Sequence, residues 1–409
     1  MLICSLGLLL LVASWSMPGH YFPWTSFLQE TTAAAGLIVI GIAALHATSH
    51  RLRLTFPAMV AGGLAAMPLI QWWLGMFPYL MDALLPAGYL LAFSVAILVS
   101  GAMTQAFGDR YARALWSALL IAAVISAGIA FVQVAQIGPV AWIEFLPHGE
   151  RPFGNLAQPN HLASLLLLGL IATLWLFERG RIGATVTSLV SIYLGAGAVI
   201  TQSRTAWIAL IVICVAWTLM RRRVAVRTTP LALFTGMAGF ILASLVWPSL
   251  YELAMQGGLA SLESRLRPGT RLTHWATLLD AAANQPWLGF GWGQVGVAQQ
   301  QAAIDHPPTG EWLSYSHNVV IDLIIWNGIP MGLAVAFGCF YWLLTRTRAC
   351  REVSTLAALT AVAVLTIHSL LEYPLAYAYF LLPLGLFVGM IDAMKSPTET
   401  AVRIHLPRY

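Results

Sequence analysis

Charged side chains are scarce in this sequence. Only 9% of its 409 residues are Asp, Glu, Lys or Arg, whereas 59% are hydrophobic. Because a soluble domain carries roughly 25% charged residues, this composition excludes a soluble globular protein. The sequence also lacks a basic domain, since its basic residues sit in short clusters between apolar runs, and we expect no nucleic-acid partner.

Cysteine and paired carboxylates are also rare. Three of the four cysteines lie in apolar runs and the fourth, Cys350, lies beside arginines, so we expect neither a disulfide nor a cysteine metal site. No Asp-x-Asp pattern occurs, which disfavours a metal ion held by carboxylates. We therefore expect no metal and no cofactor. No internal repeat is apparent, so the signature of many transporters is missing.

Long apolar runs take the place of these features. A helix needs about 20 apolar residues to cross a bilayer, and continuous runs of that kind recur along the chain. They do not alternate as the strands of a membrane β-barrel do. The sequence predicts an all-α, polytopic membrane protein with about 12 transmembrane helices in a single domain, residues 1–409. The expected spans are 2–17, 31–48, 57–75, 84–105, 114–135, 160–177, 183–202, 205–220, 230–247, 318–345, 353–371 and 374–394. We expect the tenth span to kink or break at Asn327-Gly328-Ile329-Pro330.

The basic residues orient these spans. Sixteen of the 21 Lys and Arg residues fall on one side: Arg51, Arg53, Arg110, Arg113, Arg179, Arg181, Arg221, Arg222, Arg223, Arg227, Arg346, Arg348, Arg351, Lys395, Arg403 and Arg408. Because cytoplasmic loops are enriched in Lys and Arg, this side and both termini are predicted to face the cytoplasm. The opposite side then carries a long loop, residues 248–317, in which Ala276 to Ala283 are expected to be helical.

The five basic residues on the outer side are exceptions to this rule, so the position of each one has to be explained. They are Arg151, Arg204, Arg265, Arg267 and Arg271. Arg204 lies between two apolar runs at the membrane edge, where a charge usually faces a cavity or a partner, although it could also reach out to lipid headgroups. Three of the others cluster in the long loop. Arg suits bidentate phosphate contacts, and a solvated loop face is the alternative.

Amides and histidines gather on the same outer side. The segment from Arg151 to His161 contains Asn155, Gln158 and Asn160 and indicates a loop at a polar cavity, unless Asn160 simply caps the following helix. His317 begins the tenth span. His368 lies four residues before Glu372, so the two share a face if that helix continues. Outer arginines favour a lipid phosphate or pyrophosphate, and a histidine could accept the proton of an acceptor hydroxyl.

Several segments resemble the bacterial superfamily of O-antigen ligases, O-antigen polymerases and pilin O-oligosaccharyltransferases. They span most of the chain in order: Pro18 to Trp24, Arg151 to Ala163, Gln202 to Trp207, His317 to Pro330, and His368 to Pro383. The resemblance implies an enzyme of the inner membrane that uses no metal or nucleotide. It would transfer a glycan from undecaprenyl pyrophosphate to an acceptor at the periplasmic face.

The resemblance also assigns residues. It matches Arg204 and either Arg271 or Arg265 to the pyrophosphate-binding arginines, His317 to the family's candidate base, and His368 to a second family histidine. The motifs are most similar to the pilin-glycosylating branch, whereas the chain length is more typical of ligases that load lipid A–core. Both acceptors therefore remain open.

We thus predict an inverting glycosyltransferase with His317, Arg204 and Arg271 as catalytic residues. The residues predicted to bind substrate are Arg265, His368, Glu372, Arg151, Asn155, Gln158, Asn160 and His161. The expected partners are an undecaprenyl-pyrophosphate-linked glycan, membrane lipids, and lipid A–core or a pilin. An O-antigen polymerase is the alternative within the family. A transporter of lipid-linked glycans is less favoured, because the inner halves of the spans carry almost no charge, and a purely structural scaffold does not explain charges at the outer membrane edge.

Overall fold

The computed structural model describes residues 1–20, 24–48, 51–138, 140–255, 270–394 and 402–405. These residues form sixteen α-helices and two short strands. The helices are α1 Leu2–Ser16, α2 Phe27–Ala47, α3 Phe56–Leu64, α4 Ala66–Trp73, α5 Leu80–Phe107, α6 Asp109–Val134, α7 Pro159–Glu178, α8 Ala184–Thr201, α9 Arg204–Val224, α10 Pro230–Met255, α11 Arg271–Asn284, α12 Val295–Ala302, α13 Val319–Asn327, α14 Ile329–Ala349, α15 Val353–Ser369 and α16 Ala378–Ala393. Strands β1 Arg51–Leu54 and β2 Val402–His405 pair antiparallel, with Arg51 opposite His405.

The all-α, polytopic architecture is confirmed. Within the described ranges, eight helices are long and apolar enough to cross a membrane, namely α2 and α5 to α10 together with α14, and α1, α15 and α16 are shorter apolar helices. Each of the twelve expected spans coincides with one helix or with a broken pair of helices. The exact number of crossings stays a prediction.

Two expected spans are broken in the structure. Residues 57–75 form α3 and α4, and residues 318–345 form α13 and α14. The second break is the expected one: Gly328 adopts a φ of +80° and Pro330 lies in the first turn of α14. Proline suits that position because its ring fixes φ at a helical value and the first turn needs no N–H donor.

Helix α7 forms the centre of the bundle. In its apolar 18-residue stretch, 83% of the residues are buried, and the helix packs against α6, α8, α9 and α15. Helix α16 packs against α5 and α15. The α5–α16 contact is close because Gly389 has no side chain, and a Cβ there would overlap the Ile97 carbonyl. By contrast, only 11% of the residues in the corresponding stretch of α10 and 6% of those in α14 are buried. Their apolar surfaces are therefore suited to contact lipid.

The described part of the expected long loop contains two complete helices. Helix α11 contains the predicted helical segment Ala276 to Ala283, and α12 follows it. Leu278, Val295 and Leu313 from this region form a separate apolar cluster with Ile325 of α13. This part of the loop thus packs against α13, the first half of the broken span. Arg265 and Arg267 lie outside the described residues.

The two ends of the bundle differ in chemistry. Helix α9 begins at Arg204 and ends at Arg221, Arg222 and Arg223, and its 21 residues separate the two ends by about 30 Å. Near the arginine-rich end, Arg346 bonds Asp392 at 2.8 Å and Arg179 pairs with Asp109. The other end of the bundle holds the predicted site residues.

Candidate active site

Five separate segments meet at this end of the bundle. They are the loop before α7, the junction of α8 and α9, the start of α11, the start of α13 and the end of α15. All of them except the start of α13 contribute residues to the lining of a cavity of about 340 Å³, and His317 at the start of α13 lies beside it, against the lining residue Glu372. The residues that line it are Arg151, Gln158, Asn160, Arg204, Thr205, Ile208, Arg271, Leu371 and Glu372. Most are polar, so the cavity is suited to a charged ligand.

Glu372 connects three of these segments. Its Oε1 accepts hydrogen bonds from the Arg271 guanidinium and, at 3.1 Å, from the Asn160 amide. Its Oε2 is 2.7 Å from His317 Nδ1. The side chain is only 5% exposed. A buried carboxylate normally needs such partners, because desolvation of an unpaired charge is costly.

The protonation of Glu372 follows from these contacts. Burial alone would raise its pKa, but the hydrogen bond from His317 and the charge of Arg271 outweigh burial and lower the pKa below its usual value. The carboxylate is therefore ionised near neutral pH and accepts both bonds. His317 Nδ1 must then carry the proton that it shares with Glu372.

This arrangement gives His317 the geometry of a base. Because Nδ1 donates to Glu372, Nε2 is the nitrogen left to accept a proton from a substrate. The His317 side chain is 28% exposed, so it is accessible to a substrate. These are the properties of a general base that is oriented by a second side chain.

His317 is held in an unusual backbone conformation. Its φ is +60°, which is uncommon for a residue other than glycine. The preceding residue is fixed on both sides: Ser316 N–H donates to Asp322 at 2.7 Å, and Trp275 Nε1 donates to the Ser316 carbonyl at 2.8 Å. Asn318 then caps α13 by accepting from Val320 and Ile321. The surrounding structure thus determines the direction of the imidazole.

Asn160 belongs to this network rather than to a helix cap. Gln158 occupies the N-cap position of α7 and Pro159 follows it. The Asn160 amide donates to Glu372, and its oxygen accepts from Ser203 at 2.7 Å. Ser203 in turn caps α9, whose first residue is Arg204. Arg204 is therefore positioned by the same chain of hydrogen bonds that reaches Glu372.

The cavity carries an excess of positive charge. Arg151, Arg204 and Arg271 line it, against the single carboxylate of Glu372. Arg151 donates to the Gln202 carbonyl at 3.5 Å. Burial lowers the pKa of Arg151, and the nearby Arg204 charge lowers it further, against the opposing effect of Glu372. An anion between the arginines would relieve this repulsion.

Four of the predicted site residues that the structure describes do not line the cavity: His317, which contacts the lining residue Glu372, and Asn155, His161 and His368, which are buried elsewhere. Asn155 is fully buried and ties its loop to the end of α1 by donating to the Ser16 carbonyl at 2.9 Å. His161 contacts the Tyr379 hydroxyl at 3.0 Å, and His368 contacts Ser164 Oγ at 2.8 Å. Both histidines are fully buried between helices.

His368 and Glu372 do not share a helix face, because the helix does not continue as far as Glu372. Helix α15 ends at Ser369, three residues before the carboxylate, so the four-residue spacing no longer places both side chains on one face. Only the backbone connects them, through a bond from Glu372 N–H to the His368 carbonyl at 2.8 Å. Glu372 turns towards His317 instead.

Sequence reasoning missed several residues of the site. Thr205, Ile208 and Leu371 line the cavity, and Ser203 and Asp322 position its polar groups. Ile208 could have been found from its place one turn after Arg204 on α9. In the part of the chain that the structure describes, no three His, Cys, Asp or Glu side chains are grouped to hold a metal ion.

Comparison with known proteins places this cavity in context. The family model described as O-antigen ligase matches residues 189–334, and the model for protein glycosylation ligase matches residues 152–177. The C-terminal model for virulence-factor membrane-bound polymerases matches residues 356–407. A general O-oligosaccharyltransferase of Acinetobacter baylyi is 28% identical over 415 residues, covering 98% of this chain and 71% of the relative.

The chain belongs to the O-antigen ligase and O-oligosaccharyltransferase superfamily. It is accordingly a membrane-embedded glycosyltransferase that performs ligase-type glycan transfer. A second relative, the ComP-specific O-oligosaccharyltransferase of the same organism, is 33% identical over 279 residues, which are 68% of this chain and 50% of that protein. The suspected superfamily is thus confirmed.

The matched segments of this superfamily contain all of the cavity-lining residues except Arg151. The protein glycosylation ligase segment includes Gln158 and Asn160, and the O-antigen ligase segment includes Arg204, Arg271 and His317. Glu372 lies in the polymerase segment. The hydrogen bonds of Glu372 therefore join residues from all three.

Proposed function

We propose that this glycosyltransferase moves a glycan from undecaprenyl pyrophosphate to a hydroxyl acceptor by direct, inverting displacement. The observation that carries the proposal is the position of Glu372, which bonds both the candidate base His317 and the arginine Arg271. One carboxylate thus fixes the distance between a proton acceptor and an anion-binding group. A displacement needs these two groups on opposite sides of one sugar carbon.

In the proposed step the acceptor oxygen attacks the anomeric carbon while the bond from that carbon to the pyrophosphate oxygen breaks. His317 Nε2 takes the acceptor proton, and Glu372 stabilises the resulting imidazolium. Arg204 and Arg271 bind the departing pyrophosphate, with Arg151 beside them in the same cavity. Stabilising charge on the leaving group lowers the barrier where it develops. Arg265 stays the predicted alternative to Arg271 for binding the pyrophosphate.

The site is proposed to face the periplasm of a bacterial inner membrane. The support is the charge distribution, because the cavity lies at the end of α9 opposite Arg221, Arg222 and Arg223. Among acceptors a protein is favoured, since both relatives are named oligosaccharyltransferases and one is named ComP-specific. A pilin-type protein and lipid A–core are the two acceptors to compare.

A second candidate function is O-antigen polymerisation. The observation that favours it is the polymerase match over residues 356–407, the segment that contains Glu372. In a polymerase the acceptor would be another lipid-linked glycan, and the chemistry at the anomeric carbon would be unchanged. The two functions therefore differ in the acceptor that binds opposite the arginines, whereas His317 is the base in both.

The test is a transfer assay with purified protein and a synthetic undecaprenyl-pyrophosphate glycan. Lipid A–core and a pilin are offered in parallel, and lengthening of the lipid-linked glycan is followed. We expect His317→Ala and Arg204→Ala to reduce transfer by about 10²-fold or more. Matched controls are His306→Ala and Arg222→Ala, which alter residues that neither line the cavity nor bond Glu372 and should retain wild-type rates.

Each outcome is informative. Product on one acceptor that disappears in His317→Ala, at unchanged protein level and melting temperature, supports the ligase and names its acceptor. Lengthening of the lipid-linked glycan alone supports the polymerase. Full activity in both the His317→Ala and the Arg204→Ala variant would show that the proposed residues do not perform the transfer.

A further inference from the structure

A cluster of three tyrosines adjoins the candidate base through one of its members, Tyr373. The Tyr373 ring meets the His317 ring edge-on with centroids 5.0 Å apart, and it stacks on Tyr315 at 4.8 Å and on Tyr377 at 6.3 Å. Tyr373 directly follows Glu372, and Tyr315 comes two residues before His317. Both segments that build the Glu372–His317 pair thus bring a tyrosine with them.

The hydroxyls of these tyrosines are unused. None of the three donates or accepts a hydrogen bond among the residues that the structure describes. Elsewhere in the bundle, Tyr379 bonds His161 at 3.0 Å and Tyr111 bonds Ser100 at 3.0 Å. All three tyrosines are only partly buried, so their hydroxyls are open to a ligand that reaches His317.

The position of the tyrosines identifies the group that would use them. In the proposed reaction the anomeric carbon is bonded to a pyrophosphate at Arg204 and Arg271 and is attacked by the oxygen that His317 deprotonates. The sugar ring that contains this carbon must therefore lie next to His317. Its remaining hydroxyl or acetamido groups need hydrogen-bond partners there, since leaving them unpaired on binding is costly.

We propose that Tyr315, Tyr373 and Tyr377 form a subsite that hydrogen-bonds the pyrophosphate-linked sugar of the donor. The proposal rests on the proposed function and adds the residues that recognise the sugar. Stacking of the rings on one another holds their hydroxyls in fixed positions before the substrate arrives, which lowers the ordering cost of binding.

The electrostatics of the cluster agree with a role in hydrogen bonding. Burial, with a contribution from Asp322, raises the pKa of Tyr315 to about 12, and burial together with Glu372 raises the pKa of Tyr373. Both phenols therefore keep their protons and can donate to a neutral sugar. They do not offer a second base to compete with His317.

The subsite is tested by removing the hydroxyls while keeping the rings. Tyr315→Phe, Tyr373→Phe, Tyr377→Phe and the triple variant are assayed with the native glycan on undecaprenyl pyrophosphate and with donors that lack one hydroxyl of the pyrophosphate-linked sugar. We expect each single change to lower kcat/KM for the native donor by about 3- to 15-fold, the value of one neutral hydrogen bond. The matched control is Tyr341→Phe, since Tyr341 is 68% exposed on α14.

Two further readouts separate recognition from a structural role. A deoxy donor that lacks the bonded hydroxyl should be transferred equally well by the wild type and by the matching Tyr→Phe variant. Inhibition by sugar-free undecaprenyl pyrophosphate should be unchanged in all three variants but weakened in Arg271→Ala. A structural defect would instead weaken both ligands and lower the melting temperature.

The result that overturns the subsite is a wild-type enzyme that transfers glycan while the triple variant stays within about twofold of it for every donor. An equal loss with native and deoxy donors in each single variant overturns it as well. If the wild type itself transfers nothing from undecaprenyl pyrophosphate, it is the proposed function that fails.

Discussion

At the scale of single residues, Glu372 determines how the site is arranged. It is buried, its pKa is lowered, and it binds Arg271, Asn160 and His317 at once. These partners come from three other segments of the chain. A change in this one side chain is therefore expected to disturb both the base and the anion site.

Glu372→Gln tests this role. The amide is nearly isosteric but neutral, so it no longer stabilises a protonated His317 or pairs with the Arg271 charge. We expect the rate of glycan transfer to fall by about 10²-fold or more at an unchanged protein level. Glu352→Gln, an exposed change at the start of α15, is the matched control. Near-normal transfer by Glu372→Gln would contradict a Glu372–His317 pair.

The pH dependence of stability provides a second prediction at this scale. Because the folded-state pKa of Glu372 is lowered from an ordinary value of 4.5, its ionised form contributes stability that is fully present above that value and is lost as the pH falls through the lowered pKa. The difference in melting temperature between wild type and Glu372→Gln should therefore stay constant from about pH 7 towards pH 5 and shrink only in more acidic solution. A difference that disappears already near neutral pH would show a raised pKa.

At the scale of secondary structure, the break between α13 and α14 links the outer helical region to the bundle. Phe290 N–H donates to the Ile325 carbonyl at 2.7 Å, and Ile329 N–H donates to the Pro286 carbonyl at 2.8 Å. The approach depends on Gly289, whose φ is +66° and where a Cβ would overlap the Ile325 carbonyl. This contact holds the end of α13, the helix that begins two residues after His317.

Gly289→Ala is expected to loosen this contact. Gly293→Ala is a suitable control, because Gly293 also has a positive φ of +78° but has nothing within 4 Å of a Cβ. The control should cost roughly 1 kcal/mol of unfolding free energy from backbone strain alone. Gly289→Ala should cost about 1–3 kcal/mol more from overlap, measured as a larger drop in melting temperature with a matching loss of transfer. Equal effects of the two changes would argue against tight docking.

At the scale of the whole molecule, the sidedness of the charges determines where the site works. Sixteen of 21 basic residues fall on the predicted cytoplasmic side, and the cavity lies at the opposite end of the helices that line it. A soluble polar acceptor and a lipid-linked donor could meet there without crossing the bilayer.

Cysteine labelling tests this orientation. In a background whose native cysteines are replaced by alanine, Asp305→Cys on the outer region and Arg222→Cys at the end of α9 each add one exposed thiol. A membrane-impermeant maleimide should label Asp305→Cys in intact spheroplasts and Arg222→Cys only after permeabilisation. Labelling in the reverse order would place the cavity in the cytoplasm.

The membrane architecture could be predicted from the sequence because it depends on local properties. Apolar runs and clusters of arginine can be recognised directly in the sequence. The break at Gly328 and Pro330 follows from the backbone preferences of those two residues. The arginines and His317 could be singled out for the same reason, since a charge on the outer side is unusual wherever it occurs in the fold.

The partners within the site could not be predicted in this way. Glu372 is 55 residues from His317 and 101 from Arg271 along the chain. The spacing in the sequence related Glu372 to His368 instead, which lies only four residues before it.

By itself, the sequence determined that the chain crosses a membrane many times, which end carries the arginines, and which superfamily it resembles. Only the tertiary structure decided that Glu372 binds His317, that His161 and His368 are buried away from the cavity, and that Tyr373 of the tyrosine cluster lies beside the base. The reason is physical: hydropathy and charge act through the membrane on each segment separately, whereas a hydrogen bond between distant residues exists only after their helices have packed.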